Sequence, residues 1–497
     1  MMSSDVSSFI SKAKEVADII KEYIEDKKRI ILISHYDADG ITASGILTEA
    51  IRRIEGIFQT RIYRQLEESF LPEIKSFSSG LLVFLDFGSG QLSLISKYIN
   101  DKEVIILDHH TPEVIDTSAI ENKIIHLNPH LYGIDGSVEI SSAGIAYLVA
   151  KNLGNNNDLS AYAVVGALGD NQDKGKQNSL VGLNSKIVLE DAKNADVIEE
   201  KKGFTFFGHE TRPIHIAIEY STDPFIPELS GKRENVIRFL RNIGIPLKDS
   251  EGKWRTLSSL TIDESRTLAS ELIAHMYKYG ASSEEMRSII GYIYILKREK
   301  SGTPLRDARE FSTLLNSCGR LGSPELGVII LMGERREFYR EALKKYSQYK
   351  QEISNALNWL YDNRFNENVV RELEYVQSFH GGKSIRDTII GTVASIALHS
   401  RILKNDKPLV AFAISEDNTV KVSGRTTTTL VKLGVNLAKA FKIAAKNINS
   451  PYVAGGHDIA AGARIPLGKE DAFLKEVNEI IKNQLSIMRK EGENLES

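Results

Sequence analysis

Between Ile30 and Leu47 the chain reads IILISHYDADGITASGIL, which sets His35, Asp37 and Asp39 at alternate positions directly after an apolar run. Alternate positions of an extended segment project to one side, so three potential metal ligands converge there. Carboxylates and an imidazole held that close repel one another unless a cation sits among them. Gly40 is expected to turn the chain, and ITASGILTEAIRRI after it has helical spacing. A helix N-terminus beside such a loop favours anionic ligands such as phosphate. Further candidates stand at Asp86 in VFLDFGSG, at Asp108, His109 and His110 in IILDHHTP, and at Asp170 in GALGDNQDKGK. The candidate ligand set is therefore His35, Asp37, Asp39, Asp86, His109 and Asp170. Oxygen-rich ligation with one imidazole per ion suits manganese, or magnesium as the alternative, better than structural zinc, and the ligand count suggests two ions. With Asp86 as a bridge, each ion keeps positions for water and for a substrate phosphate. His110 is the electrostatic partner for that phosphate. Asp108 either fixes an imidazole tautomer or ligates in its own right.

These residues need elements to hold them together. The apolar runs Leu81 to Leu85, Val104 to Leu107 and Lys123 to Leu127 are short and β-rich, with helical patterns between several of them. That alternation predicts a mostly parallel sheet flanked by helices, with the acids at its carboxyl edge, where α/β proteins place their sites. Phe9, Ala13, Val16, Ile20 and Ile24 predict an amphipathic first helix, and Ser141 to Asn152 and Leu159 to Leu168 two more. The pattern changes near Ala195; Gly203 to Gly231 is loop-rich, and helices are expected at Glu234 to Ile243 and Asp263 to Tyr279 with strand-like IIGYIYIL after them. The resulting division is a catalytic domain over 1–195, a middle α/β insertion over 196–334, a helical connector over 335–365 and a smaller α/β domain over 366–497. In the last, LVAFAIS and TVKVSGR predict a hairpin about Glu416 to Asn418, and Asp471 to Met488 a closing helix.

Composition narrows the functions. A net charge of -3 argues against nucleic-acid binding by bulk charge, so any basic groove must be assembled locally. A single cysteine, Cys318, excludes intrachain disulfides and cysteine-based zinc sites and suits a reducing cytoplasm. The N-terminal stretch has no apolar secretory core, and the longest uncharged apolar run, Thr388 to Ser400, is too short to span a membrane.

A second cluster lies near the C-terminus: Ser423 and Arg425 in SGR, then the hydroxyl run Thr426 to Thr429, then Gly455, Gly456 and His457 in AGGHDIAAGARI. Glycines permit close backbone approach, Arg425 offers a planar fork to phosphate, and His457 can bond a phosphate or a base. GGKS at Gly381 to Ser384 fails the phosphate-loop spacing, because Gln377 stands where its first glycine belongs, and a loop is expected there. His126 and His130, flanking LNP, are candidates for supporting the metal ligands, whereas His209, His215, His275, His380 and His399 show no acidic partner pattern and read as structural.

HYDADG, FLDFG, the Asp108-His109-His110 triplet, GALGD, SGR and GGH together resemble the DHH phosphoesterase superfamily. The resemblance implies a first ion held by His35, Asp37 and Asp86, a second held by Asp39, Asp86, His109 and Asp170, and a substrate cleft between the two end domains. FFGHETRPIHIAIEYSTDPFIPELSG and FSTLLNSCGRLGSPELGVIILMG resemble the archaeal RecJ-like nucleases within it. That branch implies a metal-dependent exonuclease of single-stranded DNA or RNA releasing mononucleotides in replication or repair, with catalytic roles at His110, Asp108 and Asp86. It also implies partners such as the GINS replication complex or a repair helicase. The alternatives are a phosphodiesterase of short oligonucleotides, cyclic dinucleotides or phosphoadenosine phosphate, and a replisome scaffold acting through the insertion.

Overall fold

The computed structural model describes residues 4–77, 80–115, 124–221, 224–400, 402–452 and 454–495, arranged as two compact units, Met1–Ser347 and Gln348–Ser497. The first helix, Ser4–Glu25, buries Phe9, Ala13, Val16 and Ile20, as its spacing predicts. Five strands follow: β1 (Arg29–His35), β2 (Phe58–Tyr63), β3 (Gly80–Leu85), β4 (Val104–Leu107) and β5 (Ile124–Leu127). All pair in parallel, in the order β2-β1-β3-β4-β5. Lys123, expected at the start of β5, lies outside the described residues.

Residues alternate across this sheet as the two-residue period requires. Ile30, Leu32, Leu81, Val83, Ile105 and Leu107 face one core, shared with helices Ser4–Glu25, Ala38–Arg53, Ser142–Leu153 and Ser160–Gly169. Ile31, Ile33, Leu82, Phe84, Val104 and Ile106 face the other, beneath Leu71–Ser76 and Leu92–Tyr98. Helices Ala308–Arg320 and Pro324–Leu331, read from sequence as part of the insertion, pack into the first core through Phe311, Leu314, Leu315, Cys318 and Leu331.

Between those parts, β6 (Ile198–Phe204) and β7 (Ile290–Leu296) form an antiparallel pair. The stretch 203–231, expected to be loop-rich, also holds a short helix, Ile214–Glu219. With helices Arg233–Asn242 and Ile262–Lys278 it closes a separate core around Phe206, Leu268 and Leu272. A charged helix, Glu337–Asp362, spans most of the stretch read as a connector, but its first part belongs to the first unit, with Ala342 and Tyr346 buried in that core.

The second unit carries β8 (Val370–Glu372), β9 (Gln377–His380), β10 (Leu409–Ile414), β11 (Thr419–Arg425), β12 (Ala454–Gly456) and β13 (Ala460–Pro466). Their order is β12-β13-β11-β10-β9-β8, and only β9 and β10 run parallel. The predicted hairpin is β10 and β11, with Asn418 at φ +59 in its turn. Gly381 to Ser384 is a turn after β9, closed by Ser384 N–H donating to the Gly381 carbonyl at 2.9 Å. Thr388 to Ser400 contains the helix Ile390–His399, and the chain closes on the helix Glu470–Leu495. No helix among the described residues is long and apolar enough to cross a membrane.

Candidate metal centre

The chain leaves β1 first toward β2 on one side and then returns to β3 on the other. Such a reversal opens a crevice at the carboxyl ends of the two central strands. His35 is the last residue of β1, Asp86 follows β3, and Asp108 to His110 follow β4. Asp170 reaches the same place from the end of helix Ser160–Gly169.

The first loop differs from its sequence reading in two respects. Asp37 is the N-cap of helix Ala38–Arg53, its carboxylate accepting from Gly40 N–H at 3.1 Å, so Asp39 stands on the first helical turn and not in an extended segment. Gly40 is helical too, and a side-chain carbon there would lie 2.5 Å from the His35 carbonyl oxygen. Its bare backbone permits close packing of helix on strand, not a turn.

Two groupings result, each with ligand atoms within 4.8 Å of one another: His35, Asp37 and Asp86, and Asp39, Asp86, His109 and Asp170. Asp86 is common to both. A third combination, Asp86 with His109 and His110, overlaps them. His35 Nδ1 lies 3.0 Å from Asp37 Oδ2 and 3.2 Å from Asp86 Oδ2. His109 Nε2 lies 3.0 Å from Asp170 Oδ2, 3.4 Å from Asp86 Oδ1 and 3.9 Å from Asp39 Oδ2. Asp86 adopts φ +64, a left-handed conformation that Asp tolerates better than most side chains. Asp39 is fully buried, and its two oxygens accept the N–H groups of Ser142 at 2.7 Å and Ala143 at 3.0 Å.

Burial disfavours charge on these groups, and their neighbours decide the outcome. Asp39 is pushed well above the usual carboxylate range by burial and then by Asp86 and Asp170. Asp86 is raised by burial and by Asp37. Burial opposes protonation of His35 and His109, yet the carboxylates win and raise both: Asp37 and Asp86 act on His35, Asp170 and Asp86 on His109. Asp37 goes the other way, burial being outweighed by His35, which holds it well below the usual carboxylate range. Asp39 and Asp86 pushed up beside imidazoles pushed up nonetheless describe a site short of positive charge. Asp86 Oδ1 and His109 Nε2 are moreover buried without a hydrogen-bond partner. His109 Nδ1 donates to the Gly136 carbonyl at 2.7 Å, which turns Nε2 toward the carboxylates and leaves it free to ligate once its proton is displaced. This donor set fits divalent cations.

Asp108 is fully buried and spends its oxygens locally. Oδ1 lies 2.8 Å from His110 Nδ1 and 3.1 Å from His110 N, while Oδ2 accepts Ser89 N–H at 2.9 Å. Burial would raise its pKa, but His110 holds it well below the usual carboxylate range. Of the two sequence readings, this geometry is that of an orienting carboxylate. His110 itself is part-exposed beside Asp86, with 3.9 Å between Nδ1 and Oδ1.

Several supporting groups escaped the sequence reading. Buried Gln172 donates to the Gly136 carbonyl at 2.9 Å and receives Asn184 Nδ2 on its Oε1 at 2.6 Å, so the carbonyl that orients His109 is itself fixed. Asn128 donates to Ser89 Oγ and to the His110 carbonyl, both at 2.8 Å. His126 Nε2 lies 2.7 Å from Ser89 Oγ, one residue removed from Asp108, whereas His130 meets Asn128 only through its backbone N–H. The HLNPH stretch carried the signal for Asn128; nothing in sequence marked Gln172. Two histidines read as lacking acidic partners do have them: His209 Nδ1 is 3.8 Å from Glu210, and His380 Nε2 is 3.6 Å from Glu470.

In the second unit, Arg425 ends β11 opposite Ala460 of β13, and Gly455 and Gly456 on β12 pair with Gly462 and Ala461 of the same strand. Arg425 Nη1 donates to Ser423 Oγ at 3.1 Å and to the Gly424 carbonyl at 2.7 Å, so Ser423 orients the guanidinium. His457 N–H donates to the Ala460 carbonyl at 2.8 Å, closing the turn into β13.

Comparison with known proteins places these features. The N-terminal domain of the DHH family matches residues 29–169, the DHH-CID domain 206–290 and the DHHA1 domain 374–483. The uncharacterized protein MJ0831 of Methanocaldococcus jannaschii is 32% identical over 480 residues, covering 96% of this chain and 99% of that one. The single-stranded-DNA-specific exonuclease RecJ of Bacillus subtilis is 25% identical over 218 residues, which are 38% of this chain and 27% of RecJ. CDC45 from Entamoeba histolytica has the same fold, with a TM-score of 0.64 at 13% identity over 95% of this chain and 99% of that one. Exonuclease RecJ bound to manganese gives a TM-score of 0.54 at 16% identity, over 95% and 94% respectively.

Proposed function

The chain belongs to the DHH family as a RecJ-like member, and from that premise we propose that it is a metal-dependent exonuclease of single-stranded DNA or RNA that releases mononucleotides. DHH proteins are phosphoesterases; the exonuclease reading is narrower. It rests on one observation: two ligand groupings share Asp86, while Asp86 Oδ1 and His109 Nε2 are buried without a hydrogen-bond partner. His35, Asp37 and Asp86 would hold one divalent ion and Asp39, Asp86, His109 and Asp170 the other, manganese first and magnesium as the alternative. Bound there, such a pair supplies an activated water and neutralises charge on the phosphate. The protein's share is placement. Asp86 joins the two halves, the Gly136 carbonyl aims His109, and Asp108 holds His110 toward the phosphate with its Nδ1 side committed. Arg425, oriented by Ser423, together with Gly455, Gly456 and His457 would bind the strand.

Digestion of strands labelled at one end, DNA and RNA in parallel, with manganese or magnesium, tests the proposal and reads polarity and sugar preference. Progressive shortening by the wild type and none by Asp86→Ala is expected; a wild type inert on both would overturn it. Arg425→Ala should raise KM for a strand more than it lowers kcat, and an unchanged KM would remove Arg425 from the strand site. A specialist for short oligonucleotides or dinucleotides would instead lose rate steeply beyond a few nucleotides.

A second proposed role is that of a replication scaffold contacting a GINS-like complex or a repair helicase in the cytoplasm through residues 196–334, and it is supported by the separate core built there around Phe206, Leu268 and Leu272. Since this chain keeps its full ligand set, scaffolding is proposed beside catalysis and not in its place. Partner capture that survives deletion of residues 206–289, the part of the insertion with its own core, would refute it.

A further inference from the structure

Residues 308–331 lie outside all three matched domains; from sequence they read as part of the insertion, within a stretch that resembles the RecJ-like nucleases. Yet one face of helix Ala308–Arg320 touches the metal loop at two points. Asn316 Oδ1 accepts the N–H of Ala38 at 3.1 Å, a bond joining residues 278 positions apart. Ala38 is the first residue of its helix, and its N–H is one of the donors that a helix start leaves without an intrahelical partner. One turn on, at i+3 on the same face, Gly319 is packed so tightly that any side-chain carbon would overlap the Tyr36 carbonyl oxygen.

Tyr36 and Ala38 interleave with His35, Asp37 and Asp39. The helix therefore grips the loop by its two non-ligand residues. It is itself anchored, since Phe311, Leu314, Leu315 and Cys318 are fully buried in the core. The following helix closes on the same element, Gly327 against Ile41 and Leu331 against Gly45.

We propose that Asn316 and Gly319 are positioning residues that brace the loop against the mutual repulsion of Asp37, Asp39 and Asp86 and keep it set to receive the ions. This rests on the metal-centre reading above. A loop left free would spread its carboxylates apart, and the cation would have to reassemble it on binding; a braced loop spares that reorganisation.

The test is manganese titration of the full chain by calorimetry, with melting of the metal-free protein and strand cleavage measured alongside. Asn316→Ala should weaken manganese binding about 10–100-fold, the range for groups that orient metal ligands, and lower kcat with KM for the strand unchanged. Asn316→Asp keeps an acceptor oxygen and should recover much of the loss. Gly319→Ala should weaken binding by displacing the Tyr36 carbonyl; if that variant fails to fold, part-buried Asn316 decides the matter. Wild-type affinity and kcat in Asn316→Ala would overturn the brace. A wild type that binds no manganese would overturn the metal centre itself, so the two failures are separable. An equal drop in metal-free melting temperature for Asn316→Ala and Asn316→Asp, with manganese affinity unmoved, would reduce Asn316 to a fold contact and also overturn the proposal.

Discussion

The first unit holds two buried acidic clusters that differ in how their oxygens are satisfied. In one, Asp37, Asp39, Asp86 and Asp170 surround His35 and His109, and Asp86 Oδ1 and His109 Nε2 find no hydrogen-bond partner. In the other, Glu210, Asp307 and Glu310 gather near His209. Glu310 accepts Glu210 N–H at 2.7 Å and the Thr211 hydroxyl, Asp307 caps helix Ala308–Arg320 through Arg309 N–H at 2.9 Å and Glu310 N–H at 3.0 Å, and Glu210 accepts Gly302 N–H at 2.9 Å. His209 Nδ1, 3.8 Å from Glu210, is buried there without a hydrogen bond. Among the described residues, no metal-holding group includes the second cluster. A crowd of carboxylates thus does not define a cation site. The first cluster is set apart by ligand atoms within 4.8 Å of one another among which Asp86 Oδ1 and His109 Nε2 stay unbonded, even though Asp37 and Asp39 also accept backbone N–H groups; in the second, the carboxylates serve backbone N–H and hydroxyl groups.

The comparison breaks most sharply at Asp86. Asp86→Ala should reduce cleavage to background while far-ultraviolet circular dichroism stays native; substantial cleavage by this variant would put the centre elsewhere. The second cluster should instead declare itself in stability. Burial and then Asp307 push Glu310 up to about 7, from an ordinary 4.5. The native state then holds a proton that the unfolded chain has lost. Its contribution is fully present below about pH 4.5 and disappears as pH rises through about 7, a span on the order of 3 kcal/mol. Glu310→Gln keeps an acceptor oxygen and cannot ionise, so denaturant melts across that range should lose this part of the decline. An identical pH dependence in the variant would show that Glu310 ionises freely.

Manganese offers the next contrast. At about 100 times its dissociation constant it should stabilise the wild type by about 2.7 kcal/mol, chelation should reverse this, and Asp86→Ala should lose most of the shift. Stabilisation of Asp86→Ala equal to that of the wild type would mean that the metal binds outside this cluster. Smallest is Asp108→Ala, which frees His110 without touching a proposed ligand. It should cost about 10–100-fold in cleavage, and a change in manganese affinity equal to that of Asp86→Ala would make Asp108 a ligand after all.

Much of this was legible in the chain because its signals are local. Four of the five strands of the first sheet are apolar runs, and every proposed ligand sits in a short motif beside one or at a helix end. β2 escaped because FQTRIY is an edge strand with no fully buried residue, so its apolar and polar positions never separate into a run. Asp39 and Gly40 were placed in an extended turn because alternation mimics a strand, whereas the Asp37 cap starts a helix there. The Gly136 carbonyl, Gln172 and Asn316 were illegible for a different reason. A backbone oxygen has no letter, and an amide 278 positions from its partner has no pattern. The role of helix Ala308–Arg320 emerges only from packing.

The order β2-β1-β3-β4-β5 carries a consequence for biosynthesis. His35, Asp86 and His109 meet only after β3 has inserted beside β1 and β4 has joined it, and Asp170 arrives later in the chain. Parallel pairings of this kind span long loops and form slowly. A half-folded chain consequently owns every ligand residue but no assembled centre, and phosphoester chemistry waits until the topology is complete.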